Sequence, residues 1–348
     1  MIATPYGEYK YMHNPLLHTV VQTTMNLNYR VWGFGEAIGL RGLMRAGEVL
    51  QDTAPEAFVH GLMRAWLGRG VASTSEDHVG PGRELIEFWQ RTGDVQFIEA
   101  AKKLADLHHH FPCNKSGARY HRPSHPGFRH QIWVDCMDNE PPFLVRLGIA
   151  TGQENYIEQG VNELLAYSRL LQNENSGLYK HGYEQDCGSN GEYWARGNGW
   201  ALMGLVDVLL NLPSSHPRRA EILQRFQALC DGLALAQLTS GLWRTVIDRD
   251  TYEESTLAAM VAHALMEADS AGLIQDKRHG KMALRAYAAL PPLIDTNGAL
   301  HLVSDATPVG QCEMYATRPF GTFAWGQGPL LLALTSGETL KMQEEKNS

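Results

Sequence analysis

The chain has 348 residues, 44% of them apolar and 20% charged, which is the make-up of a globular protein able to bury a sizeable core. Its formal net charge of −8 excludes nucleic acid and anionic membrane surfaces as expected partners. An anionic ligand would have to be drawn in by a local basic pocket.

In chain order, the first ten residues hold no apolar run of the kind a secretion signal needs. No later stretch approaches the roughly 18 apolar residues of a membrane span. A cytoplasmic location is expected. Residues 14–26 predict a first helix, capped by Asn14 with Pro15 at its first position. Helical spacing continues over 31–49 and 54–68, the latter closed by Gly68-Arg-Gly70. Two paired-helix units follow. In one, the segment around Leu85 and Trp89 leads through Thr92-Gly93-Asp94 to Phe97-Ile98-Glu99. In the other, Phe143 onward leads through Thr151-Gly152-Gln153 to Tyr156-Ile157-Glu158. They form a helical-hairpin repeat spaced by about 60 residues. Further helices are expected at 198–211, 217–238, 253–271, 276–290 and 319–335, for about twelve in all.

Long polar loops rich in His and Gly separate the hairpins at 70–80, 111–134, 173–193, 239–252 and 291–316. Loops of that length in a compact domain usually carry function. The pattern predicts an all-α fold, an (α/α)6 barrel of six hairpins in a closed toroid, spanning 1–348 as a single domain. An open α-solenoid is the alternative, but its loops would not need this aromatic, His and Asp content.

Asp77 and Asp135 each stand just before a helix, at the same end of equivalent hairpins. A toroid sets them side by side at its mouth, where a carboxylate pair is the usual equipment for acid and base work on a glycosidic system. His78 and Trp133 are their neighbours. The plain alternative is that each Asp only caps its helix. His181, in Tyr179-Lys-His-Gly182, offers a bond to a sugar hydroxyl or to a carboxylate. Trp194-Ala-Arg196-Gly-Asn198-Gly-Trp200 opens an apolar helix. There, free N–H groups and the helix dipole favour an anion, and Arg196 adds a fork suited to a carboxylate. Trp194 and Trp200 are read as pocket walls, with plain core packing as the alternative. Asn198 has no assignable contact.

His108-His-His110 cannot converge on one ion, because consecutive helical residues point about 100° apart. Five scattered cysteines form no C-x-x-C pair and fit free thiols in a reducing compartment. No phosphate-binding loop, dinucleotide fingerprint or metalloprotease motif occurs, so neither a cofactor nor a metal is expected.

Four motifs occur in order: Ile132-Trp-Val-Asp135 with Pro142-Phe-Leu144; Tyr179-Lys-His181-Gly182; Trp194-Ala-Arg-Gly-Asn-Gly-Trp200; and Gly241-Leu-Trp-Arg244 with Tyr252-Glu-Glu-Ser-Thr256. Together they resemble glycoside hydrolase family 105, the unsaturated rhamnogalacturonyl hydrolases, and the related family 88 unsaturated glucuronyl hydrolases. The resemblance covers residues 30–335. It implies an (α/α)6 barrel that removes the 4,5-unsaturated uronic acid left at the non-reducing end by polysaccharide lyases. It also implies Asp135 as general acid/base, Asp77 as the second acid, and His181, Trp194, Arg196 and Trp200 as pocket residues. Asn139 stands where family 105 often carries Met, which is closer to family 88, and Asp138 and Glu140 make the segment unusually acidic. The expected partner is a small anionic oligosaccharide, bound by a monomer or homodimer. Competing readings are a conventional inverting glycosidase using Asp77 and Asp135, a sugar epimerase resting on histidines, and a non-catalytic helical scaffold that would tolerate loss of Asp135.

Overall fold

The computed structural model describes residues 14–71 and 78–347, with side chains to Met342. Helices α1 (Pro15–Met25), α2 (Ala37–Leu50) and α3 (Thr53–Gly68) come first, then α4 (Gly82–Thr92) and α5 (Val95–His109). They are followed by α6 (Cys136–Thr151), α7 (Glu154–Leu171), α8 (Ala195–Asn211) and α9 (Arg219–Ala236). The last are α10 (Thr256–Ser270), α11 (Lys277–Ala289), a short α12 (Cys312–Ala316) and the long α13 (Ala324–Asn347). Most expected helices sit within a few residues of their predicted ends. Three details differ: α2 begins only at Ala37, α12 lies inside a segment read as loop, and α13 runs well past 335.

Local chemistry accounts for the boundaries. The Asn14 side chain accepts from the Leu17 N–H ahead of Pro15, and Asp52, Asp94 and Asp276 cap α3, α5 and α11 in the same way. The Thr-Gly turns end α4 and α6 on left-handed glycines, Gly93 at φ 72° and Gly152 at φ 68°. Only glycine enters that region without strain, so the repeat seen in sequence is a repeated helix stop.

Burial separates the helices into two rings. Every α8 residue from Ala195 to Val206 is buried, and so is all of α10 from Thr256 to Met266 apart from a partly covered His263. Helices apolar all round belong in the middle of a fold. The inner ring is α2, α4, α6, α8, α10 and α13. In it α6 packs on α4 and α8, α10 packs on α8 and α13, and α13 packs on α2. The α2–α4 seam is bridged by side chains: Arg41 Nε lies 3.8 Å from Glu84 Oε1, and Arg91 pairs with Glu48. Gly204 lets α8 lie close against α6, since a side chain there would overlap the Met137 carbonyl. Each inner helix is backed by its hairpin partner, and α13 is backed by α1, which joins the two ends of the chain. This is the (α/α)6 barrel.

The inner helices share one direction, so their N-termini meet at one end. Five short strands lie in the loops there. Strands β1 (Gln131–Trp133), β2 (Gly182–Glu184) and β3 (Gly188–Ser189) form one antiparallel sheet, and β4 (Trp243–Arg244) pairs with β5 (Glu253–Glu254). Between the inner helices lies a cavity of about 570 Å³, reaching from Arg83 in the first turn of α4 to the C-terminal turns of α6 and α8 and lined by Arg41, Arg83, Arg146, Asp207 and His263, among others. Its cations are met by carboxylates: Arg41 and Arg83 donate to Asp138, and Arg146 to Asp207. Among the described residues, no helix is long and apolar enough to cross a membrane.

Candidate active site

Asp135 occupies the N-cap position of α6, yet its side chain makes no capping hydrogen bond, and its backbone is already helical at φ −54° and ψ −35°. The simple cap reading therefore fails for this residue. Its carboxylate is turned toward His181 instead. Pairing of β1 with β2, in the register Ile132 with Tyr183 and Trp133 with Gly182, brings the two loops together, and the Val134 N–H donates to the His181 carbonyl at 2.9 Å. That leaves His181 Nε2 at 3.3 Å from Asp135 Oδ2. The alignment falls short of a good hydrogen bond, since both atoms otherwise lack a partner. Catalytic contacts are often loose before substrate closes them. Burial lowers the His181 pKa and the Asp135 carboxylate restores only part of it, so the ring is neutral at neutral pH.

An aromatic ladder surrounds this pair. The His78 and His121 rings stack at 4.7 Å and His121 stacks on Trp133 at 4.1 Å; Trp133 meets His181 edge-on, and His181 lies 4.3 Å from Trp194. His78 has a positive φ of 47°, a conformation that costs a non-glycine residue energy and recurs at functional sites. Its Nδ1 stands 2.5 Å from Glu140 Oε1. Asp138 is held by Arg41 and Arg83, whose charges outweigh burial and lower its pKa. The acidity of the Asp138–Glu140 segment is thus answered locally. His78, His121 and Cys136 present ligand atoms within 4.8 Å of one another, a set suited to a soft cation. Asp77 lies outside the described residues.

Three of the expected pocket residues, Arg196, Trp194 and Trp200, are buried in the scaffold. Arg196 was expected to offer a free fork to a carboxylate ligand, but it is 2% exposed and already engaged. Nη1 donates to Glu254 Oε1 at 2.7 Å and to the Ser304 carbonyl, while Nη2 donates to the Asp305 carbonyl and Thr307 Oγ1. Trp194 was expected to wall a sugar pocket. It is 2% exposed and covered by the Arg196 guanidinium at 4.5 Å, so it supports His181 from behind. Trp200 is buried in the core one turn into α8, and among the described residues it makes no ring contact with the cluster. Of the expected tryptophans, Trp133 and Trp194 flank the His181 ring, Trp133 edge-on and Trp194 from behind.

Asn198, unassigned from sequence, is a clamp. Its Oδ1 accepts from the Tyr179 N–H at 2.7 Å, and its Nδ2 donates to the carbonyls of Tyr179 and Trp194. One amide side chain thereby imitates a strand partner and holds the segment leading to His181 against α8. Sequence reading missed His121, Arg122, Glu254 and Tyr315. Glu254 fell inside a motif but carried no sign of its role; His121 and Arg122 stand in a loop, and Tyr315 in the short α12, without any pattern. Arg122 is half-buried, lies 5.7 Å from the Trp133 ring and 5.6 Å from the Phe128 ring, and makes no ion pair among the described residues.

Comparison with known proteins follows the same line. Residues 11–342 match Glycosyl Hydrolase Family 88. An unsaturated rhamnogalacturonyl hydrolase of Bacillus subtilis (strain 168), YesR, is 27% identical over 332 residues, covering 92% of each chain. A possible GH105 family member from Salmonella enterica superposes with a TM-score of 0.87 at 20% identity, over 97% of each chain. One from Klebsiella pneumoniae gives 0.86 at 21%, over 98% of this chain and 96% of its own. The likeness to families 105 and 88 seen in the motifs is borne out. With the match running through nearly its whole length, the chain belongs to glycosyl hydrolase family 88.

Proposed function

We propose that the protein removes a 4,5-unsaturated hexuronic acid from the non-reducing end of lyase-generated oligosaccharides by hydrating its double bond. The observation that carries this reading is Asp135: a carboxylate at a helix start that caps nothing and faces a neutral, buried imidazole in an aromatic-walled cluster. The names of relatives that act on unsaturated rhamnogalacturonyl and rhamnoglycuronyl substrates support the same chemistry.

In this mechanism the unsaturated sugar is a vinyl ether. Asp135, as acid, gives a proton to C4, and the positive charge that develops is shared by C5 and the ring oxygen. The Asp135 carboxylate so formed takes a proton from water, which adds at C5. The resulting hemiketal opens to a ketone, leaving a hemiacetal at C1 that expels the rest of the chain. Asp77 is assigned as the second acid from the family resemblance. The substrate carboxylate is assigned to Arg122 rather than Arg196, because Arg122 is the guanidinium beside Trp133 whose charge no acid among the described residues matches. The converging N-termini of the inner helices add to the pull on an anion. His78 and Trp133 line the ring-binding side.

The test is to incubate the protein with unsaturated disaccharides from rhamnogalacturonan lyase and glycosaminoglycan lyase digests while following the ultraviolet absorbance of the double bond. Loss of absorbance is expected with at least one class, and that class identifies the leaving sugar. Constant absorbance with all of them rejects the reading.

A further inference from the structure

We infer that Tyr315 fixes the tautomer of His181, so that the imidazole always turns an Nε2–H donor toward Asp135. The functional part of this inference rests on the assignment of the chemistry to Asp135, whereas the tautomer itself follows from hydrogen-bond accounting. Asn190 is the starting point. Its Oδ1 accepts from the Gly182 N–H at 3.2 Å, and its Nδ2 donates to the Gly310 carbonyl at 2.9 Å. A backbone N–H can only donate and a carbonyl can only accept, so the amide orientation is determined. The second Nδ2 hydrogen then points at the Tyr315 hydroxyl, 3.0 Å away.

The Gly310 N–H donates to the same hydroxyl at 3.3 Å. The phenol oxygen thus receives two donors, which fills its lone pairs. Its own hydrogen cannot go back to either nitrogen. The remaining neighbour is His181 Nδ1, 2.6 Å away. Burial raises the phenol pKa, so the hydroxyl keeps that hydrogen to donate. Nδ1 must therefore be the bare nitrogen, and in a neutral ring the proton sits on Nε2. That is the atom 3.3 Å from Asp135 Oδ2.

The opposite tautomer would set two lone pairs against each other, Nε2 facing the carboxylate and Nδ1–H facing a hydroxyl already supplied with donors. Tyr315 comes from the short α12, 134 positions from His181 in the chain, and is itself held by the Tyr252 hydroxyl, which donates to the Tyr315 carbonyl at 3.0 Å. It is a positioning residue. It steers His181, which in turn orients the Asp135 carboxylate without adding a charge to it.

Nitrogen chemical shifts of the His181 imidazole test this directly in the intact protein without substrate, the signal being assigned by its absence in His181→Gln. The expected spectrum has an unprotonated Nδ1 and a protonated Nε2. Tyr315→Phe keeps the ring that packs at 5.6 Å on His181 and removes only the hydroxyl. It should give a mixture of tautomers, and kcat on the unsaturated disaccharide should fall about 10- to 100-fold with KM within about twofold. A wild-type spectrum showing Nδ1–H overturns the tautomer assignment whether or not the variant folds. An unaltered kcat in a folded Tyr315→Phe overturns the positioning role. If no unsaturated uronide is turned over, the proposed function falls while the spectrum still decides the tautomer.

Discussion

Arg196 and Glu254 form a sealed ion pair, Nη1 to Oε1 at 2.7 Å, with side-chain exposures of 3% and 0%. The pair ties the first turn of α8 to the end of β5, and further Arg196 donors reach the 304–307 loop. Removing one member leaves the other charged and buried, which typically costs about 3–5 kcal/mol. Arg196→Ala should therefore lower the unfolding free energy by about that amount, read from urea denaturation. A variant as stable as the parent, with only KM raised, would restore Arg196 to the role of a ligand anchor.

Arg122→Ala carries the opposite signature. Loss of a charge-assisted contact to a substrate carboxylate should raise KM about 10- to 100-fold, with kcat and melting temperature little altered. Arg122→Lys should recover part of the loss, since the charge is kept and the fork is not. An unchanged KM in the alanine variant removes Arg122 from the site.

Asp135→Asn should abolish the absorbance loss, lowering kcat by about 10²- to 10⁴-fold, the range expected when a general acid/base is removed. The fold should persist, because the Asp135 side chain makes no capping bond for α6 to lose. Retained activity in a folded variant rejects the assignment.

Acid stability should depend on Glu163. Burial alone would raise its pKa, but His108, Arg119 and Gln159 together outweigh burial and bring it from 4.5 to about 2. A carboxylate whose folded pKa is depressed stabilises the fold fully above its unfolded pKa and loses that contribution as pH falls through the folded value. About 3 kcal/mol should thus disappear between roughly pH 4.5 and 2, and Glu163→Gln should flatten the unfolding free energy across that window. If the parent and the variant decline in parallel there, Glu163 is not the group responsible.

The helical hairpins were legible because their signals are local. Asn14 before Pro15, and the glycines after Thr92 and Thr151, act within one turn of the helix ends they set. The six-hairpin barrel follows from repeating that unit. Asp135 and His181 were also legible as chemistry-bearing types beside recognisable motifs. Their approach to 3.3 Å was not, because it depends on β1 pairing with β2, three-residue strands about fifty positions apart in the chain. Strands that short carry no periodicity to read.

Arg196 shows where residue type misleads. A guanidinium suits a ligand carboxylate and a protein carboxylate equally well, and only the fold shows that Glu254 reached it first. Arg122 shows the converse, a cation without a motif that becomes notable once Trp133 lies beneath it and no acid among the described residues pairs with it. The sequence by itself determined the helices, their stops, the hairpin repeat and the family motifs, since each rests on interactions between near neighbours in the chain. The tertiary structure alone decided which charges are spent on the scaffold and which remain for a ligand, and which proton His181 carries. Those outcomes depend on partners more than fifty residues away, where hydrogen-bond and charge matching is settled by proximity in space.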